Sequence, residues 1–480
     1  MNYRMLGYLF GIVMMIEAAL MLLPLIVCLI YGETAVPFLI TMAILLAVAL
    51  PLVIQRPKDT RIYAKEGFVT AAGAWLILSA CGALPFVLSG AIPNYIDAFF
   101  ETVSGFTTTG ATILTEIESL PRGILFWRSF THWVGGMGVL VFMLALLPSD
   151  NGRAMYLLRA EVPGPTKDKI VPKMRHTALI LYGIYMCLTL LLVVLLLLTK
   201  MPLYDSLVNA FATAGTGGFS VKNASIGAYN NPAAEWIIGV FMLVFGINFN
   251  LYFLLLVKRF RDVFKNEELR AFLIICLVAT VSVTLNILNT FESAGDAIRT
   301  AFFQVSTIVS TTGYTTVDFN LWPSFSKTVL LVLMILGSCA GSTAGGLKIS
   351  RVIIAFKNML RSIKKTLRPN SVNVVRVDGE PVPDATLHAT ASYITIYAAI
   401  VMLATLLLSL DGFDLETNFS ATLACINNVG PGFSVVGPTG NFSQFSYFSK
   451  LLLSFAMLIG RLEFMPMLIL FSPKTWRKNG

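Results

Sequence analysis

Apolar runs of spanning length alternate along this chain with short amphipathic stretches, and four of those stretches lead into a glycine-bearing loop. Ten runs read as spans, at 7–31, 35–55, 67–90, 123–147, 177–199, 235–257, 270–290, 326–347, 388–410 and 448–471. Each approaches or exceeds the roughly 20 residues that cross about 30 Å of hydrocarbon. The first run is too long for a cleaved leader and a second span follows at once, so these two form an N-terminal pair. After them one order recurs four times: span, short stretch, glycine loop, span. The short stretches, at 97–107, 205–214, 297–309 and 416–427, cannot cross a bilayer. A half-length helix that runs into irregular backbone is tolerated at membrane depth only inside protein or beside water. The predicted fold is an all-α integral membrane protein. Four pseudo-symmetric helix–pore-helix–helix repeats surround one central pore, and two extra transmembrane helices precede them. The expected divisions are 1–56 for the pair, then repeats at 57–148, 149–258, 259–376 and 377–480.

Composition agrees with that pattern. Of 480 residues, 56% are apolar and 13% charged, and the mean hydropathy is +0.76. Segments 1–6, 56–66, 149–176, 258–270, 348–376 and 473–480 hold 27 of the 35 lysines and arginines. The positive-inside rule places these segments and both termini in the cytoplasm of a multi-pass inner-membrane protein, with all four glycine loops outside. The net charge of +9 therefore reports orientation and not nucleic-acid binding. The outer segments carry 13 acidic against seven basic residues. That excess would concentrate cations, and it also follows from the inside bias alone. Cys28, Cys81, Cys187, Cys276, Cys339 and Cys425 lie in apolar segments without metal-ligand spacing, and no disulfide is expected.

The loops carry Thr108-Thr109-Gly110, Gly217-Gly218, Thr311-Thr312-Gly313 and Asn428-Val429-Gly430. Glycine adopts positive φ freely, so a tight loop can aim backbone carbonyls at one axis, and carbonyl rings select cations. The threonine hydroxyls either add ligands or tie the loop to its short helix. Asp97 and Asp205 stand thirteen residues before Gly110 and Gly218, where each could cap a short helix. A second feature breaks the symmetry. Gly337, Gly341, Gly345 and Gly346 fall within twelve residues that end at Lys348. Such a run weakens helix by about 1 kcal/mol per glycine. It could unwind across the pore, or pack closely through small-xxx-small spacing. Arg461 lies inside a span, where a charge is costly and by default functional. It could face the pore or pair with Glu463 or another acid. Glu17 reads as helix packing or lipid-facing.

The four-loop pore resembles the Trk/Ktr/HKT superfamily of potassium transporters, and three stretches are similar to its TrkH/TrkG branch. These are Phe126-Trp127-Arg128-Ser129-Phe130 leading to Gly135-Gly136-Met137-Gly138, then Ala340 through Lys348, and Gly460-Arg461-Leu462-Glu463. The resemblance implies a K⁺ pore in each protomer, a homodimer, an intramembrane gating loop at 337–347 and a pore arginine at Arg461. It also implies a cytosolic TrkA-like regulatory ring with NAD/ATP-binding domains, docked on loops 149–176 and 348–376. Gly110, where sodium-leaning members carry serine, implies a preference for potassium. The chain departs from the pattern at His132, where glutamine is expected, and at the additional Gly215. No cofactor is expected beyond the transported ion. No phosphate loop or catalytic motif is present, and His132, His176 and His388 share no face, which argues against a membrane enzyme. A Na⁺- or H⁺-coupled symporter would need intramembrane acids, for which only Glu17 and Glu463 qualify.

Overall fold

The computed structural model describes residues 1–57, 64–138, 174–370 and 373–476. The N-terminal pair is α1 (Tyr3–Leu20) continued by α2 (Leu22–Tyr31), then α3 (Val36–Ile54). The first repeat comprises α4 (Ala64–Gly82), α5 (Leu84–Leu88), the short α6 (Tyr95–Phe106) and α7 (Arg122–Gly136). The second comprises α8 (Met174–Leu198), the short α9 (Leu203–Gly215), α10 (Pro232–Gly246) and α11 (Phe249–Leu256). After the brief α12 (Phe260–Lys265), the third has α13 (Glu267–Ile287), the short α14 (Ala294–Val309), α15 (Ser324–Leu336) and α16 (Ile349–Leu367). A hairpin of β1 (Arg376–Val377) and β2 (Glu380–Pro381) leads into the fourth. That repeat comprises α17 (Asp384–Leu408), the short α18 (Leu415–Ile426), α19 (Tyr447–Leu462) and α20 (Met465–Phe471).

The two spans of a repeat differ in kind. First spans are continuous, and among the described residues six helical stretches are long and apolar enough to cross a membrane unbroken. Second spans are interrupted. The expected span 235–257 bends by 91° between α10 and α11. The expected span 326–347 stops as helix at Leu336, because Gly337 takes φ 66° and ψ −155°, a conformation almost confined to glycine. Glu463, at φ 55°, ends α19 within the expected span 448–471. In the span 123–147 helix ends at Gly136, and residues 139–147 lie outside the described set.

The short helices begin on Asn94, Pro202, Ser293 and Asp414, and not on the expected Asp97 and Asp205. Asn94 Oδ1 accepts from Ile96 N at 2.8 Å and caps α6, whereas Pro202 precedes α9. Asp97 and Asp205 sit inside the first turn, favourable for an anion beside the helix dipole. Asp97 is engaged by Lys450 at 2.7 Å. Glu17 is fully buried, and a side chain at Gly82 would lie 3.0 Å from its Oε1, so it packs within protein and does not face lipid.

Candidate functional site

Each short helix ends in the same hydrogen-bonded turn. At α6, Thr108 N–H donates to Gly105 O at 3.1 Å and Thr109 N–H to Ser104 O at 2.9 Å. At α9, Thr216 N–H reaches Thr213 O (3.0 Å) and Gly217 N–H reaches Ala212 O (2.8 Å). At α14 the pair is Thr311 to Ile308 (3.1 Å) and Thr312 to Thr307 (2.8 Å); at α18 it is Asn428 to Cys425 (3.2 Å) and Val429 to Ala424 (2.8 Å). These paired back-bonds form a Schellman motif, whose left-handed residue is usually glycine. Here that position is Thr108, Thr216, Thr311 or Asn428, with φ between 54° and 56°. Two residues later come Gly110, Gly218, Gly313 and Gly430, at φ 82°, 75°, 82° and 98°. Because the amides turn back into the helix, the carbonyls of 109, 217, 312 and 429 are left to meet the neighbouring loop.

That meeting closes a ring. A Cβ added at Gly110 would stand 2.1 Å from Gly217 O, at Gly218 2.0 Å from Thr312 O, at Gly313 2.1 Å from Val429 O, and at Gly430 2.7 Å from Thr109 O. The first loop thus abuts the second, the second the third, the third the fourth, and the fourth the first. Only glycine fits at these crossings. All four glycines line one cavity of about 160 Å³, with Arg128, Lys222 and Asn223 also on its wall. Thr109 Oγ1 is braced by Thr107 Oγ1 at 2.8 Å and by Asn428 Nδ2 at 2.9 Å, and Thr312 Oγ1 by Ser310 Oγ at 2.7 Å. Thr108 Oγ1 makes no hydrogen bond.

Three residues behind the ring had no assigned role in the sequence. Arg128 Nε meets Glu101 Oε1 at 2.7 Å, with both side chains almost wholly buried. Its guanidinium also donates to Ser220 O at 3.0 Å and lies 3.5 Å over the Phe219 ring. Glu101 in turn accepts from Thr112 Oγ1 (2.9 Å) and Ile113 N (3.0 Å), so both charges are compensated. A buried pair of this kind contributes little net stability, but removing one partner costs about 3–5 kcal/mol. His132 Nδ1 lies 2.7 Å from Gly105 O and Nε2 accepts Phe219 N–H at 3.3 Å, which requires a neutral ring protonated on Nδ1. The signal for the pair was present, as an acid in a half-helix and an arginine in an apolar run. Gly215 has a packing reason, since a Cβ there would lie 2.2 Å from His132 O.

Beneath the ring the glycine-rich segment is not helical. Gly337, Gly341, Gly346 and Lys348 have φ of 66°, 70°, 79° and 72°. The segment folds back on its own start, with Leu347 N–H to Ile335 O at 3.2 Å and Ile349 N–H to Ser338 O at 3.0 Å. It is latched to every side. Gly345 N–H donates to Thr311 Oγ1 at 2.7 Å, and a Cβ on Gly345 would stand 2.2 Å from Asn427 O. Glu268 Oε1 accepts from both flanks, Ala340 N at 2.7 Å and Ser350 N at 2.9 Å. Lys348 Nζ donates to Ala344 O. Arg461 Nη1 donates to Thr343 O at 2.6 Å, and Nη2 to Gly135 O at 2.5 Å and Gly136 O at 2.7 Å. The expected alternative partner, Glu463, is taken by Arg351 at 2.6 Å. His388 is exposed and far in sequence from the ring, and the side chain of His176 lies outside the described set.

Comparison with known proteins fits this geometry. Residues 35–478 match the family model "TrkH: Cation transport protein". The Trk system potassium uptake protein TrkH of Salmonella typhimurium is 37% identical over the whole of both chains. The uptake protein TrkG of Escherichia coli is 32% identical over 99% of each. The crystal structure of the potassium transporter TrkH from Vibrio parahaemolyticus superposes with a TM-score of 0.88 at 33% identity, covering 99% of this chain and 100% of that one.

Proposed function

Because the chain belongs to the TrkH family of cation transport proteins, we propose that it carries potassium into the cell through the glycine ring, as a channel-like uptake protein of the inner membrane. The single observation that supports this reading best is the cyclic closure of the four loops, in which each glycine meets a carbonyl of the next repeat. Potassium sheds water in the cavity above the ring and is held by backbone carbonyls around Gly110, Gly218, Gly313 and Gly430. Carbonyl dipoles already fixed by the paired back-bonds replace hydration without reorganising. The C-termini of four short helices point partial negative charge at the same place. The ion then passes the 337–348 segment, which is the gate, and Arg461, which ties that gate to α7 by one carbonyl contact to the gate at Thr343 and two to α7 at Gly135 and Gly136. An inside-negative potential supplies about 2.3 kcal/mol per 100 mV, so roughly 150 mV supports accumulation of several hundred-fold without chemistry in this chain.

Orientation follows the positive charges, with both termini cytoplasmic. The chain pairs as a homodimer, and a TrkA-like nucleotide-binding ring docks on the basic cytoplasmic segments, of which α16 is one. Coupled symport has less support. Glu463 is tied to Arg351, Glu17 packs against Gly82, and the further buried acids Glu101 and Glu268 are held by Arg128 and by the Ala340 and Ser350 amides; none of the four lines the ring cavity. The test is the K⁺/Na⁺ permeability ratio of the purified protein against Gly110→Ser. A lowered ratio is expected; an unchanged ratio would remove the ring from selectivity. A reversal potential that moves with external pH would favour coupling.

A further inference from the structure

Pseudo-symmetry places one junction four times, where the second span of a repeat meets the short helix of the next. Three of these junctions are filled. Phe130 and Trp133 of α7 pack on Phe211 of α9 at ring distances of 5.6 and 6.0 Å. Trp236 of α10 stacks on Phe302 of α14 at 4.8 Å, beside the Arg299–Glu235 pair at 2.8 Å. At the last junction Lys450 of α19 binds Asp97 of α6 at 2.7 Å.

The junction of α15 with α18 is open. It holds a cavity of about 610 Å³, lined by Leu331, Leu415, Phe419 and Phe433. Phe419 stands eleven residues before Gly430, as Phe302 stands eleven before Gly313. Phe302 has Trp236 against it, whereas α15 offers Ser324, Lys327, Thr328 and Leu331 to this cavity and no ring. One polar contact crosses the gap, Lys327 Nζ to Glu416 Oε1 at 3.4 Å, with both side chains partly exposed. Leu415, at the cavity edge, is 76% exposed, so the cavity opens at the surface of the chain.

We propose that this junction binds a phospholipid with a zwitterionic phosphoethanolamine headgroup from the leaflet on the ring side. An acyl chain fills the apolar cavity, whose volume lies within the roughly 300–1,000 Å³ of small-molecule sites. The phosphate lies on Lys327 and the ammonium on Glu416, which between them present one charge of each sign. An anionic headgroup without an amine would set its phosphate against Glu416. The site reaches the ring, because Ser420 lines the cavity and its Oγ accepts from Phe433 N–H at 2.9 Å, three residues past Gly430. The proposal rests on the membrane-spanning fold and not on which ion passes.

The test uses the full chain in nanodiscs of equal palmitoyl-oleoyl phosphatidylethanolamine and phosphatidylglycerol, followed by native mass spectrometry. The ethanolamine lipid should stay bound to wild type in preference to the glycerol lipid. Lys327→Ala or Glu416→Ala should weaken retention about tenfold, the loss of one charge-assisted contact. Leu331→Trp should abolish retention with the headgroup pair intact, and thermal unfolding of each variant checks that the fold survives. Equal retention of both lipids, or equal retention by wild type and all three variants, would overturn the proposal. So would loss of dimer without loss of lipid in Leu331→Trp, which would assign the junction to a second copy of the chain. A wild type that retains the lipid but lacks potassium selectivity would sink the transport reading and leave this one standing.

Discussion

Glycine serves the ring and the segment beneath it in opposite ways. In the ring, four loops share nearly the same dihedrals, and each is fixed by two backbone bonds into its own helix and by a carbonyl of the next loop. Among the described residues the segment at 337–348 has no counterpart in the other repeats; besides backbone bonds to the bend between α10 and α11 (Cys339 N–H to Gly246 O at 3.2 Å, Phe249 N–H to Gly341 O at 3.0 Å) it is held by side chains of other elements, Thr311, Glu268 and Arg461. Backbone bonds within a turn are released only by unfolding it. Side-chain latches are released by a rotamer change. On the proposed function, the same residue type serves as a rigid selector where it is repeated and locked, and as a releasable barrier where it is single and latched.

The largest effect expected is at the ring itself. Gly218→Ala puts a methyl 2.0 Å from Thr312 O, besides about 1 kcal/mol for positive φ. Potassium uptake by a deficient host should fall by well over tenfold, while Gly430→Ala, with 2.7 Å available, should retain more activity. Equal loss at both would mean that the ring does not close by contact. Next comes Arg461→Ala, which removes three charge-assisted donors, each worth about 1.5–3 kcal/mol before compensation. Basal current without any regulatory partner should rise by tenfold or more, read as open fraction in single-channel records. Glu268→Ala leaves two buried amides without an acceptor and should destabilise the closed segment by about 1–3 kcal/mol, raising current less than Arg461→Ala. Glu268→Gln keeps the acceptor oxygen and should stay near wild type, a contrast that a purely electrostatic role would not produce.

How far these two levels were legible in the sequence differs for a physical reason. The short helices and their glycines stood out because turn chemistry is local: three residues of chain decide a left-handed turn. Gly337 and its neighbours allowed a break for the same reason, with close helix packing equally open. The bend at Ile247 and the stop at Glu463 were hidden, because hydropathy reports burial and stays high through a change of direction. The caps were misplaced by a few residues, since Asp97 has the right charge for a first turn but Asn94 has the extended backbone that a cap needs. The partners of Arg461, and the meeting of Arg128 with Glu101, join segments that only the closed ring brings together.

The smallest effect lies at the mouth. Glu118 Oε2 accepts from Lys222 Nζ at 3.0 Å on the outer rim. That hydrogen bond, then the Asn223 N–H, holds the Glu118 carboxyl below the usual carboxylate range. A lowered folded-state pKa means that the stabilisation is full above the ordinary value of about 4.3 and is lost as pH falls through the folded one. The pair is exposed and screened, so thermal unfolding of wild type and Glu118→Gln should differ slightly at neutral pH and converge below about pH 4. A gap that widens on acidification would contradict the assignment.

The separation of selector from latch is tested most directly by recording wild type and Arg461→Ala in one planar bilayer, with potassium on one side and sodium on the other. Both should show the same reversal potential, near the potassium equilibrium value, with a larger open fraction in the variant. A reversal potential that collapses toward zero in Arg461→Ala would show that the arginine shapes selectivity, and that ring and latch are one device.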